Sequence, residues 1–178
     1  ASLVPYDWAS SWAMHAGAVA HRWLQHIATV GVEQFAGDGA ALRDLQPAIR
    51  RLLLRAGVEA DNLNRAIERV HAVLSNALTD ERGRWLMSSQ HDEAVNEYPL
   101  TVKSGDRFRH LVIDHSFVCG QGIRWIVDYK TSSHEGGDRT QFIASEIRRY
   151  APQLAAYRNA FARIEERPTS VALYFPLL

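Results

Sequence analysis

Two aspartates and a lysine lie on neighbouring apolar segments, in Leu111-Val112-Ile113-Asp114 and Trp125-Ile126-Val127-Asp128-Tyr129-Lys130. Gly120-Gln121-Gly122 separates the segments and has the length of a common hairpin loop. In a hairpin closed by that loop Cys119 faces Ile123, and Asp114 falls opposite Asp128. Facing residues have Cβ atoms ~4.5–5.5 Å apart, so one cation could bridge the two carboxylates. Alternation puts Lys130 on the face of Asp128, ~6.8 Å further along. Two acids and an amine in this arrangement suit phosphodiester hydrolysis. Hard oxygen donors hold Mg²⁺, with Mn²⁺ as a substitute, and an ammonium stabilises developing negative charge. An isolated Asp-x-Lys is most often a solvated surface ion pair. The hairpin register and the apolar flank of Trp125, Val127 and Tyr129 favour a site instead.

The elements that must position these residues follow from periodicity. Trp8, Trp12, His15, Val19, Trp23, Ile27 and Val30 recur at helical steps, and Gly37-Asp38-Gly39 then breaks the chain. Leu42, Leu45, Ile49, Leu52 and Ala56 form a second helical stripe ended by Gly57. Leu63, Ile67, Val70, Leu74 and Leu78 form a third, stopping before a polar stretch from Thr79 to Gly83. Ala94–Lys103, Arg107–Val118 and Ile123–Lys130 read as three strands, and Ser170–Phe175 as a fourth. Between them lies a polar loop from Thr131 to Thr140, followed by a helix from about Phe142 to Glu166. Pro152 predicts a kink or a fresh helix start there. The expected fold is one α/β domain over 1–178, mainly helical to residue 83, with the sheet and a flanking helix after it. The stop just after a strand reads as the end of a fragment.

His21 is a further candidate ligand. Gly17, four residues earlier on the same helical face, permits helix and sheet to approach closely and bring an imidazole to the acids. A lone helical histidine is otherwise more often structural.

Composition narrows the partners. The chain has 20 basic and 20 acidic residues, a neutral balance that counts mildly against a stand-alone nucleic-acid binder. A module fed by a larger machine needs no such excess. Cys119 is the only cysteine, so there is no internal disulfide and no iron–sulfur cluster, and a cytoplasmic setting is expected. No apolar run approaches membrane-spanning length, so no membrane partner is expected. The Gly-x-x-x-x-Gly-Lys-Ser/Thr phosphate loop is absent, which excludes ATP hydrolysis by these residues.

Taken together, five ordered segments resemble the RecB/AddA-type nuclease domain of the PD-(D/E)XK superfamily, found in UvrD-like helicase–nucleases. Gly17-Ala18-Val19-Ala20-His21 is similar to its helical Gly-x-x-x-His motif, and Glu97-Tyr98-Pro99 to its Glu-x-Pro strand. Ile113-Asp114-His115 resembles Ile-Asp-Arg, with His115 in the place of the arginine. Val127-Asp128-Tyr129-Lys130-Thr131 resembles Asp-Tyr-Lys-Thr, and Gln153-Leu154-Ala155-Ala156-Tyr157 resembles Gln-x-x-x-Tyr. The resemblance implies a restriction-endonuclease-like core of helix, three-stranded antiparallel meander, helix and strand, with extra N-terminal helices. It implies catalysis by Asp114, Asp128 and Lys130, and a metal held by His21, Asp114, Asp128 and the Tyr129 carbonyl. Gln153, Tyr157 and Glu97 would contact DNA or support the site; alternatively, Tyr157 is core and Gln153 caps a strand edge. The implied activity is exonuclease-type cleavage of DNA in repair and recombination. The implied partners are DNA, the helicase domains of the same polypeptide or complex, and a second subunit. The competing reading is a catalytically inactive nuclease-like scaffold. Arg139, Arg148, Arg149 and Arg158 are weaker candidates for phosphate contacts, and Ser133–Arg139 for a flap.

Overall fold

A computed structural model describes residues 11–35, 40–104, 106–132 and 138–178. Trp8, the Gly37-Asp38-Gly39 break and residues 133–137 of the expected flap lie outside them. The architecture is α/β: the described residues form five α-helices and a four-stranded mixed sheet. In chain order these are α1 (Ser11–Val30), α2 (Ala40–Arg55), α3 (Ala60–Thr79), α4 (Glu81–Leu86), β1 (Asp92–Ser104), β2 (Arg107–Val118), β3 (Arg124–Tyr129), α5 (Arg139–Phe161) and β4 (Thr169–Tyr174). A short 3-10 turn, Val32–Phe35, follows α1. The strands lie in the order β1-β2-β3-β4, with β1, β2 and β3 successively antiparallel and β4 parallel to β3.

The apolar stripes read from the sequence face the core, except that Val30 at the end of α1 is 40% exposed. Val19 and Ile27 of α1, Ile49 of α2, and Leu63, Ile67, Val70 and Leu74 of α3 pack with Phe117, Val127 and Tyr129 from one side of the sheet. A smaller core on the other side joins Tyr98, Leu100, Ile113 and Ile126 to Tyr157, Ala160 and Phe161 of α5. Gly57 ends α2 as expected, at φ +91°, while Val58 N–H donates to Leu53 O at 3.0 Å. That left-handed backbone favours glycine.

Three expectations are corrected. The polar stretch after α3 contains α4, started by Asp80, whose carboxylate accepts from Gly83 N–H at 2.9 Å. The late helix begins at Arg139, because the Asp138 carboxylate accepts from Thr140 and Gln141 N–H groups, and it ends at Phe161. Pro152 lies inside it, so of the two expected outcomes the fresh helix start is the one overturned. Pro152 and Arg148, one turn earlier, are both exposed, so the carbonyl that loses its helical donor can turn to water.

Candidate functional site

The hairpin register is the expected one. His115 pairs with Val127, Ser116 with Ile126, Phe117 with Trp125 and Val118 with Arg124, and the turn closes with Cys119 N–H donating to Ile123 O. Continued by one step, this register sets Asp114 opposite Asp128. The ladder, however, ends at His115 and Val127. Past that point β2 stays with β1 while β3 stays with β4, so the strands part. Asp114 sits at the parting, and its Oδ2 accepts the Tyr129 backbone N–H at 2.8 Å. A side chain thus takes the place of the missing ladder partner.

The same position switches the faces of β2. Ile113 belongs to the core under α5, whereas His115 lies on the α1 side, stacked near Tyr129 and bonded through Nε2 to Leu86 O at 3.0 Å. Across from Asp114 on β1, Glu97 takes φ +52°, a left-handed backbone uncommon for glutamate. Strict alternation therefore fails at the residue that matters most. His115 is fully buried, and burial pushes its imidazole down to about 4, so it is neutral and serves packing.

Asp128 is the buried acid of the pair, 3% exposed. Its Oδ2 lies against the Lys130 ammonium without a hydrogen bond of regular geometry, and its Oδ1 accepts from Gln153 Nε2 at 3.2 Å. Gln153 also donates to Tyr157 Oη at 2.6 Å, and Tyr157 donates to Val112 O at 3.0 Å. This relay crosses the parting from β2 to β3. Tyr157 is itself fully buried, so it holds Gln153 in place and cannot meet DNA.

From the other side α1 delivers His21, whose Nε2 is 3.4 Å from Asp114 Oδ1 and 3.0 Å from Gln25 Nε2. The close approach inferred from Gly17 is present: a Cβ there would lie 2.8 Å from Thr131 Oγ1, just beyond β3. Sequence reasoning missed Gln25, which lies one turn after His21 and was findable from helical spacing. Tyr150, which helical spacing sets on the face of Gln153 and Tyr157, has its ring 4.0 Å from the Lys130 ammonium. Glu97 is exposed, and no hydrogen bond or ion pair joins it to this group.

The electrostatics show an excess of negative charge. Burial raises the Asp128 carboxyl above its ordinary value, and the Asp114 charge raises it further, against the opposing pull of Lys130 and His21. Burial works against charge on His21 and Lys130, but the facing carboxylates outweigh it and both groups are raised. A divalent cation would relieve the repulsion, and carboxylate oxygens with one imidazole suit Mg²⁺ or Mn²⁺ in donor chemistry. The spacing is open, however. Among the described residues, no three His, Cys, Asp or Glu side chains converge as a ready metal cage. The side chain of Tyr129 is core, leaving only its backbone for the site.

A cavity of about 1030 Å³ lies elsewhere, along β4 between α3, α4 and α5, and none of these residues lines it. Among the described residues, no helix is long and apolar enough to cross a membrane.

No protein-family model matches the chain, and no curated protein matches it. Among solved structures it is similar to protein VC1899 from Vibrio cholerae, at 11% identity and a TM-score of 0.31. That similarity covers 94% of this chain and 47% of the other, so the chain spans about half of that protein's length. A likeness this weak carries no argument about the site.

Proposed function

We propose that this chain is a Mg²⁺-dependent DNA nuclease domain with a restriction-endonuclease-like core, the nuclease module of a DNA-repair helicase–nuclease. One observation carries the reading. Where β2 and β3 part, Asp114 and Asp128 meet His21 from α1, Lys130 from the end of β3 and Gln153 from α5. A purely structural sheet needs none of these in register, and the like charges weaken it.

His21, Asp114, Asp128 and the Tyr129 carbonyl would hold the ion, which when bound neutralises phosphoryl oxygens and makes water more acidic. The chain's own groups do the positioning. Gln153, braced by Tyr157, fixes one oxygen of Asp128. The Tyr129 N–H fixes one oxygen of Asp114. Lys130, kept cationic by Asp128 and seated over Tyr150, places an ammonium beside the acids to stabilise negative charge as a phosphodiester bond breaks. DNA and the helicase domains of the same polypeptide or complex are the partners of this reading, with a second subunit as a further one.

The open spacing of the donors favours a second reading, an inactive nuclease-like scaffold. Incubation with linear single- and double-stranded DNA, with and without Mg²⁺ or Mn²⁺, separates them. The nuclease cleaves only with metal and loses cleavage in Asp114→Ala and Asp128→Ala. The scaffold gives no metal-dependent cleavage, and the two substitutions change nothing.

A further inference from the structure

Beyond the parting, β1 and β2 continue together as a two-stranded arm that β3 does not accompany, with pairs from Pro99↔Val112 to Ser104↔Arg107. One face of the arm packs through Tyr98, Leu100 and Leu111 on the core beneath α5. The other face carries the pairs Pro99↔Val112, Thr101↔His110 and Lys103↔Phe108, and all six residues are exposed. Phe108 is 66% exposed and Val112 54%, the largest and third-largest exposures among the large apolar side chains described. Ile164, at 60%, lies elsewhere, after α5.

The arm is also locally basic in a chain of zero net charge. Residues 98–112 hold Lys103, Arg107 and Arg109 against a single carboxylate, Asp106. Lys103 shares the face of Phe108, and Arg107 and Arg109 flank Phe108 in sequence from the opposite face. An exposed aromatic ring leaves apolar surface in water that a stacking partner would cover. A polyanion carrying planar bases satisfies both features. The face leads to the candidate site: Val112 is two residues from Asp114, and Phe108 is six residues away, ~20 Å along the strand.

We propose that this face is a platform for single-stranded DNA. Phe108 stacks on a base, Lys103 on the same face holds a neighbouring phosphate, Arg107 and Arg109 add positive field from the other face, and the strand runs along the arm toward Asp114. The ligand class rests on the nuclease reading; the recognition itself does not require cleavage.

The test is fluorescence anisotropy of a labelled oligothymidylate with the whole chain, in EDTA so that no turnover occurs. Phe108→Ala weakens binding about tenfold or more, and Phe108→Trp restores it, as expected for base stacking. Lys103→Ala lowers the dependence of log affinity on log salt by roughly 0.7, the contribution of one phosphate no longer neutralised. Unchanged affinity in Phe108→Ala overturns the proposal. So does an equal loss toward a blunt duplex, which offers no unpaired base. Phe108 is exposed, so a folding defect does not obscure the result. Cleavage of the same oligonucleotide by the unsubstituted protein with Mg²⁺ reads the nuclease assignment separately. Phe108-dependent binding without cleavage sustains the platform and rejects the nuclease.

Discussion

Strand β3 carries a charge cluster at each end, and the two are built to different rules. At its start, buried Arg124 makes a two-point contact with Glu165, Nε to Oε1 at 2.9 Å and Nη2 to Oε2 at 3.1 Å. It also pairs with Glu93, and Arg167 closes the group through Glu93 at 2.9 Å and Glu165 at 3.5 Å. Two guanidinium groups meet two carboxylates, and charge cancels. At the far end Asp114 and Asp128 have Lys130 and an imidazole, His21, whose charge depends on pH; the Asp128 carboxyl is raised, and one of its buried oxygens lacks a regular hydrogen bond. A balanced cluster tightens a fold. An unbalanced one keeps a field available for a ligand, at a cost in stability.

Substitutions should divide along that line. Asp128→Asn is expected to lower metal-dependent cleavage by about 1000-fold, or ~4 kcal/mol of barrier, while the protein stays folded. Arg124→Leu should leave cleavage within about threefold below its unfolding temperature, an order-of-magnitude allowance for a residue remote from the chemistry. Initial rates on labelled linear DNA check both. Equal losses of activity would erase the distinction between the ends.

The next effect is on stability. Arg124→Leu leaves Glu165 half-buried with only the longer contact to Arg167 and should destabilise by ~3 kcal/mol. In a domain of this size that lowers Tm by roughly 6–12 °C. Thermal unfolding followed by circular dichroism measures it, and a Tm within a degree or so of the parent would show that the balanced cluster does not tighten the fold.

Gly17→Ala probes the delivery of His21. The added methyl meets Thr131 Oγ1 at 2.8 Å, so α1 or Thr131 must shift. A small displacement at a catalytic cluster is expected to lower cleavage about tenfold, with ~1 kcal/mol lost in urea unfolding. A stability loss with no loss of cleavage would separate α1 from the site.

The smallest effects are pH dependences of opposite sign. The hydrogen bond from Arg167, helped by Arg124, holds the Glu93 carboxyl below its ordinary value. The stability it gives is complete above the unfolded-chain value of about 4.3 and is lost as pH falls through the folded value. The raised Asp128 carboxyl acts the other way: ionising it costs folded stability once pH exceeds about 3.9. In urea unfolding with EDTA, Asp128→Asn should therefore gain on the parent as pH rises from about 3 to 7. Glu93→Gln should lose ground over the same range. Parallel curves for the two variants would contradict the contrast.

Much of this was legible in the sequence. The three-residue glycine loop fixed the β2–β3 register, and the stripes on α1, α2 and α3 gave the buried faces. Gly17 and His21 pointed to a close helix crossing, which is present. The parting of β2 from β3 was not legible: it coincides with the φ of +52° at Glu97 across from Asp114, which no local pattern encodes. Helix α4 was hidden by its six-residue length and internal Gly83, although Asp80 is a recognisable cap. The relay from Gln153 through Tyr157 to Val112 needed the packing of α5 across both strands, a tertiary fact. The face switch at Asp114 likewise follows from which helix covers each half of β2.

Crystals soaked in MnCl₂ and measured at the manganese absorption edge give the most direct test of the unbalanced cluster. A single anomalous peak within coordination distance of both Asp114 and Asp128, with the His21 imidazole on the same ion, is the predicted result. Asp128 still turned to Lys130, with manganese absent from the parting of β2 and β3, would contradict it.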